Sequence, residues 1–140
     1  TIAPSTCRYL MRKYSVIVIA DGKTNRAVGM EAGASKFSLV EPNTSHPLLP
    51  RPVKDAVLLS AGDRYNHLVD RTEAKLGEFT ADDAIELMSR PLAMKSNLHN
   101  ALFEPKSTKF WVANANEKGE PAADQKYYAF QLSELLKRKP

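Results

Sequence analysis

The apolar positions change period several times along this chain, and each change marks an element. Val16 to Ala20 is continuously apolar and largely β-branched. This predicts a strand over Tyr14–Ala20 that is covered on both faces, because a strand with one wet face alternates instead. Asp21-Gly22-Lys23-Thr24-Asn25 supplies turn residues, and Arg26–Ala32 reads as the returning strand of a hairpin. Gly33-Ala34-Ser35 turns again, and Phe37 and Leu39 alternate with Ser38 in a third strand. Three strands joined by short turns make an antiparallel meander. Residues 41–54 then hold Pro42, Pro47, Pro50 and Pro52, each of which removes a backbone donor and restricts the residue before it. An irregular loop follows from that composition.

The central stretch runs from Val57 to Leu76. Val57-Leu58-Leu59 is a short apolar run between Pro52 and Gly62 and reads as a buried strand. After Gly62 the spacing becomes helical. Tyr65, Leu68, Val69, Thr72 and Leu76 fall on one face of a helix, with Gly77 suited to the position that ends it. Thr80 has the form of an N-cap, with Asp82 and Asp83 in the first turn of a second helix that Arg90-Pro91 closes. Two helices in tandem are expected on one face of the sheet.

Beyond them, Met94–Phe103 and Thr108–Ala113 alternate and read as a second hairpin about Glu104-Pro105-Lys106-Ser107. Leu98 and Leu102 share one face of it, while His99, Ala101 and Phe103 share the other. Asn116–Lys126 is polar and reads as a flexible loop, Tyr127–Leu132 as an edge strand, and the remainder as a frayed basic end. Strands and helices are segregated along the chain, so the fold class is α+β. The 140 residues are read as one domain or part of one.

Composition narrows the function classes. Hydrophobic content of 43% and charged content of 26% are those of a soluble globular chain, and no apolar run approaches the roughly 20 residues that span a bilayer. Thr1–Cys7 is polar and carries no signal-peptide pattern. The formal charge of +4 comes from scattered Lys and Arg, with one compact cluster at Lys137-Arg138-Lys139. No aromatics interleave with that cluster, so no nucleic-acid partner is expected. One cysteine, Cys7, excludes an internal disulfide. Phosphate-binding glycine motifs, zinc spacing among His46, His67 and His99, and a Gly-x-Ser-x-Gly elbow are all missing. No cofactor or metal is implied.

Candidate chemistry centres on Arg64. It sits in the first turn of the helix that follows the apolar run, where a cation opposes the macrodipole. A solvated surface arginine is the plainer account. A guanidinium that binds an anion or carbonyl at the sheet's end is the sharper one. His46 lies in the proline-rich loop, which could frame a site, although an exposed loop histidine is the commoner outcome. Only one of His99 and Asn100 can face a given pocket, and a buried, hydrogen-bonded histidine is the usual fate of a residue placed like His99. Thr1 and Cys7 are further nucleophile candidates, but nothing local activates Cys7.

Several segments, in order, resemble a known family. They are Ser5-Thr6-Cys7, Ala20-Asp21-Gly22-Lys23, Arg26-Ala27-Val28-Gly29-Met30-Glu31, His46-Pro47-Leu48-Leu49-Pro50, Leu58–Tyr65, Arg90–Asn100 and Phe110-Trp111-Val112-Ala113. Together they are similar to the C-terminal half of the acyl-coenzyme A:6-aminopenicillanic acid acyltransferases. That family belongs to the N-terminal-nucleophile hydrolases and is akin to the choloylglycine and penicillin V amidases. The resemblance implies an αββα sandwich and a self-cleaving precursor whose new N-terminal cysteine attacks an amide or thioester carbonyl, with its own α-amine as base. The nucleophile would lie upstream, so Cys7 does not match it. Arg64 matches an arginine beside the nucleophile, and a cation near a thiol favours the thiolate. Ser60 and Asp63 would be its neighbours, with Asp63 able to hold it. Asn97, His99 and Asn100 recur without an assigned task, and the asparagine that supports the oxyanion has no clear match.

The chain is therefore expected to be the C-terminal part of an amidohydrolase or acyltransferase that is inert by itself. Its partners would be a small-molecule amide or acyl donor and the upstream half of the same precursor. The competing reading is a non-catalytic domain that binds a ligand, a partner or a second copy of itself through open strand edges and bare apolar faces.

Overall fold

The computed structural model describes residues 15–33, 37–46, 49–60 and 62–138. Thr1, Cys7, Tyr14, Ala34-Ser35 of the second turn and Lys139 lie outside that range. The element order is β1 (Ser15–Asp21), β2 (Arg26–Ala32), β3 (Phe37–Val40), α1 (Asp63–Ala74), α2 (Ala81–Leu87), β4 (His99–Glu104), β5 (Lys109–Asn114), a 3-10 turn (Ala122–Asp124), β6 (Tyr128–Gln131) and α3 (Leu132–Leu135). It is an α+β chain with two three-stranded antiparallel sheets, ordered β1-β2-β3 and β4-β5-β6. The described residues divide into two units: 15–20 with 26–59, and 21–25 with 60–138.

In the first unit, β2 and β3 pair from Gly29↔Val40 to Ala32↔Phe37. Alternation puts Gly29, Glu31, Ser38 and Val40 on one face and Met30, Ala32, Phe37 and Leu39 on the other. The first face is covered. A Cβ built on Gly29 would stand 2.9 Å from Val57 Cγ1 and 3.4 Å from Leu59 Cδ1, so the chain after the proline loop lies directly on it. The opposite face is open, with Phe37 65% and Leu39 51% exposed. β1 departs from expectation: Ile17, Val18 and Ile19 are each nearly half exposed, at 46, 49 and 47%. As the edge strand of a small sheet, β1 is not sandwiched on either side by the described residues.

Val57-Leu58-Leu59 is not a strand. A turn at Lys54-Asp55, with Asp55 at φ 55°, delivers the run over the face of the sheet and not to its edge. It buries apolar surface on Gly29 and enters no ladder.

The second unit gathers around α1. Tyr65, Leu68, Val69 and Thr72 are buried, as their spacing requires, and Val69 is fully enclosed. Burial of each of the larger side chains contributes about 2 kcal/mol. The helix ends at Ala74, two residues earlier than its pattern suggests. Leu76 is 41% exposed, and Gly77 (φ 85°) falls in the turn beyond Lys75. Thr80 caps α2 through a complete capping box with Asp83. Arg71, reaching from α1, donates to the carbonyls of Leu87 (3.1 Å), Ser89 (3.3 Å) and Arg90 (2.8 Å). A cation thus closes the negative end of α2.

β4 begins at His99, later than its apolar pattern implied, because Met94–Asn97 is a turn closed by Asn97 N–H to Met94 O. β4 and β5 pair from His99↔Asn114 to Glu104↔Lys109, and β5 and β6 from Lys109↔Gln131 to Val112↔Tyr128. Ala113 and Ala122 are enclosed on one side of this sheet. On the other side Phe103, Phe110 and Phe130 stack across the three strands at 6.0 and 5.3 Å between centroids. The polar stretch after β5 is not a featureless loop. The Asn116 side chain accepts from the amides of Lys118 and Glu120 and donates to the side chains of Glu120 and Gln125, and a 3-10 turn follows.

Candidate functional site

Arg64 stands in the first turn of α1, after Gly62, which takes φ 59° and has open space where a side chain would be. Gly62 lets the chain turn sharply into the helix without strain. Arg64 as a residue is half-buried, and its guanidinium has no hydrogen-bond or ion-pair partner among the described residues. Asp63 does not hold it: Asp63 is exposed and makes no ion pair among the described residues. The reason is geometric, since consecutive helical residues point about 100° apart and do not face each other. Asp63 instead lies favourably at the positive end of α1. Ser60 is half-buried and also lacks a hydrogen bond among the described residues.

Asn97, His99 and Asn100 are brought together. Asn97 Nδ2 donates to His99 O (2.9 Å) and Asn100 Oδ1 (3.2 Å), while Asn97 Oδ1 accepts from the amide of Ala123 (3.1 Å). The Asn97 carbonyl accepts from Ala122 N–H at 2.8 Å, and Asn100 Nδ2 donates to the Tyr127 hydroxyl at 2.7 Å. These amides pin the start of β4 to the 3-10 turn and the start of β6. His99 is exposed, not buried, with Nδ1 2.8 Å from Asn114 Oδ1 across the strand pair. It lies on the open aromatic side of the sheet, opposite to Asn100, as strand alternation demands.

His46 differs most from its reading. It is not an exposed loop histidine: its side chain is 15% exposed and Nε2 lies 3.7 Å from Glu31 Oε2, whose side chain is 7% exposed. Ser38, directly opposite Glu31 in the strand pair, donates to the same oxygen at 3.1 Å. A buried carboxylate requires such partners, because desolvation penalises its charge. His46 also forms a bridge with Leu49, N–H to O at 3.3 Å and back at 2.7 Å. One element of the proline loop is therefore held over the covered face of the first sheet. Sequence reasoning did not single out Glu31 or Ser38 as a pair. Their signal was present as two polar residues at inward positions on adjacent strands, but it required the register.

An open groove of about 220 Å³ runs between α1 and α2, lined by Arg71, Lys75, Phe79, Asp83 and Glu86 among others. None of the candidate site residues read from the sequence lines it. Its charges are largely spoken for, Lys75 by Asp83 and Arg71 by the carbonyls that end α2. Asp83 is held well below the usual carboxylate range by hydrogen bonds, first from Lys75 and then from Thr80. Among the described residues no three His, Cys, Asp or Glu side chains converge on a metal-sized site, and no helix is long and apolar enough to cross a membrane. Comparison with family models, curated proteins and solved structures returned no match.

Proposed function

We propose that this chain is the C-terminal part of an N-terminal-nucleophile amidohydrolase or acyltransferase, acting on linear amide or thioester bonds, with a nucleophilic cysteine supplied upstream. The observation that carries the reading is Arg64, a half-buried residue at the start of α1 whose guanidinium has no partner among the described residues. It occupies the position at which the resemblance expects a cation beside the nucleophile. The ordered segments from Ala20 to Ala113 and the α+β class with two antiparallel sheets support the same reading. The αββα sandwich belongs to this proposal.

In that chemistry the cysteine's α-amine takes the thiol proton and the thiolate attacks the carbonyl carbon. The amine leaves with the proton as the C–N bond breaks, and an acyl thioester remains. Water or an acceptor amine then releases the acyl group. Arg64 contributes positive charge that favours the thiolate. In the full-length, self-cleaved protein, Arg64→Ala is expected to raise the apparent pKa of the cysteine by roughly 1 unit and to cut turnover at neutral pH about tenfold. Arg64→Lys is expected to keep most of both. The pH profile of cysteine alkylation reads this directly, and an unchanged profile in Arg64→Ala removes the assigned role.

A non-catalytic binding module is the second reading, favoured by the nearly half-exposed Ile17, Val18 and Ile19 on an edge strand. Mass spectrometry of the natural full-length product separates the two. Internal cleavage that exposes a cysteine upstream supports the enzyme, and an intact product without such a cysteine supports the binding module.

A further inference from the structure

We draw no further inference here: the strongest candidate, the open aromatic face of the β4–β5–β6 sheet where Phe103, Phe110 and Phe130 stack beside Tyr128, is an unpartnered apolar surface, and nothing in the structure shows what covers it.

Discussion

Glu31 is a buried carboxylate on the covered face of the first sheet. Its carboxylate is almost fully enclosed, and Ser38 and His46 both approach the same oxygen. Removal of a partner leaves part of a buried charge unsatisfied, which costs about 1–3 kcal/mol. His46→Ala is expected to destabilise the first unit by that amount in denaturant titrations. The cost should shrink when Glu31→Gln is already present, since the two side chains then have less to lose. Equal costs in both backgrounds would show that the pair is not coupled. Gly29 is constrained by space. Alanine there would meet Val57 Cγ1 at 2.9 Å, and a β-branched side chain yields little. Gly29→Ala is expected to cost about 1–3 kcal/mol through overpacking, and a neutral result would mean that the Val57 segment moves freely.

At the scale of elements, α2 depends on its ends more than on its packing. It has seven residues and none is buried, so the capping box and the Arg71 contacts define it. Thr80→Ala is expected to cost about 1 kcal/mol. Its pH dependence has a definite sign. The carboxyl of Asp83 is depressed in the folded chain, so its contribution is complete above the ordinary aspartate value near 4 and fades as pH falls toward the lower folded value. The Thr80 amide, which donates to Asp83 Oδ2 at 2.9 Å, should therefore hold its NMR shift through the ordinary aspartate range and move only well below it, toward the lowered folded value. Asp83→Asn should abolish that movement, and its persistence in the variant would assign it to another group. The β4–β5–β6 sheet shows the opposite balance. Its turns and register are fixed by side-chain amides at Asn97, Asn100 and Asn116, while on one face Phe103, Phe110 and Phe130 stack on each other and Lys126 lies over the Tyr128 ring at 5.3 Å.

For the whole molecule, the β2–β3 pair and the β4–β5–β6 sheet each have one covered and one open face. Phe37 and Phe103 are 65% exposed and Leu136 is 77% exposed. Exposed apolar area points to an interaction surface only where it is contiguous. On the proposed reading the upstream half of the precursor supplies the cover. The isolated 140-residue chain should then bind a hydrophobic dye such as ANS and show no amide turnover. Joined to the upstream half, it should lose most of the dye binding and gain activity. Dye binding that persists unchanged in the active full-length protein would refute that cover. Turnover by the isolated chain would move the nucleophile to Cys7 or Thr1.

Periodicity and end signals were enough to place most elements. The stripe of Tyr65, Leu68, Val69 and Thr72 specified α1, Thr80 with Asp83 specified the start of α2, and the turn residues around Asn25 and Lys106 specified two hairpins. Those features act within one turn or between adjacent strands, so local sequence carries them. Three outcomes needed tertiary structure, because each depends on which neighbour a segment meets. Val57–Leu59 reads as a strand until a turn lays it across Gly29. His46 reads as a loop histidine until the register brings Glu31 and Ser38 beneath it. Val16–Ala20 has the composition of a doubly covered strand, yet Ile17, Val18 and Ile19 stand at an edge. An apolar run states that burial is favourable, but only the fold decides what, if anything, provides it.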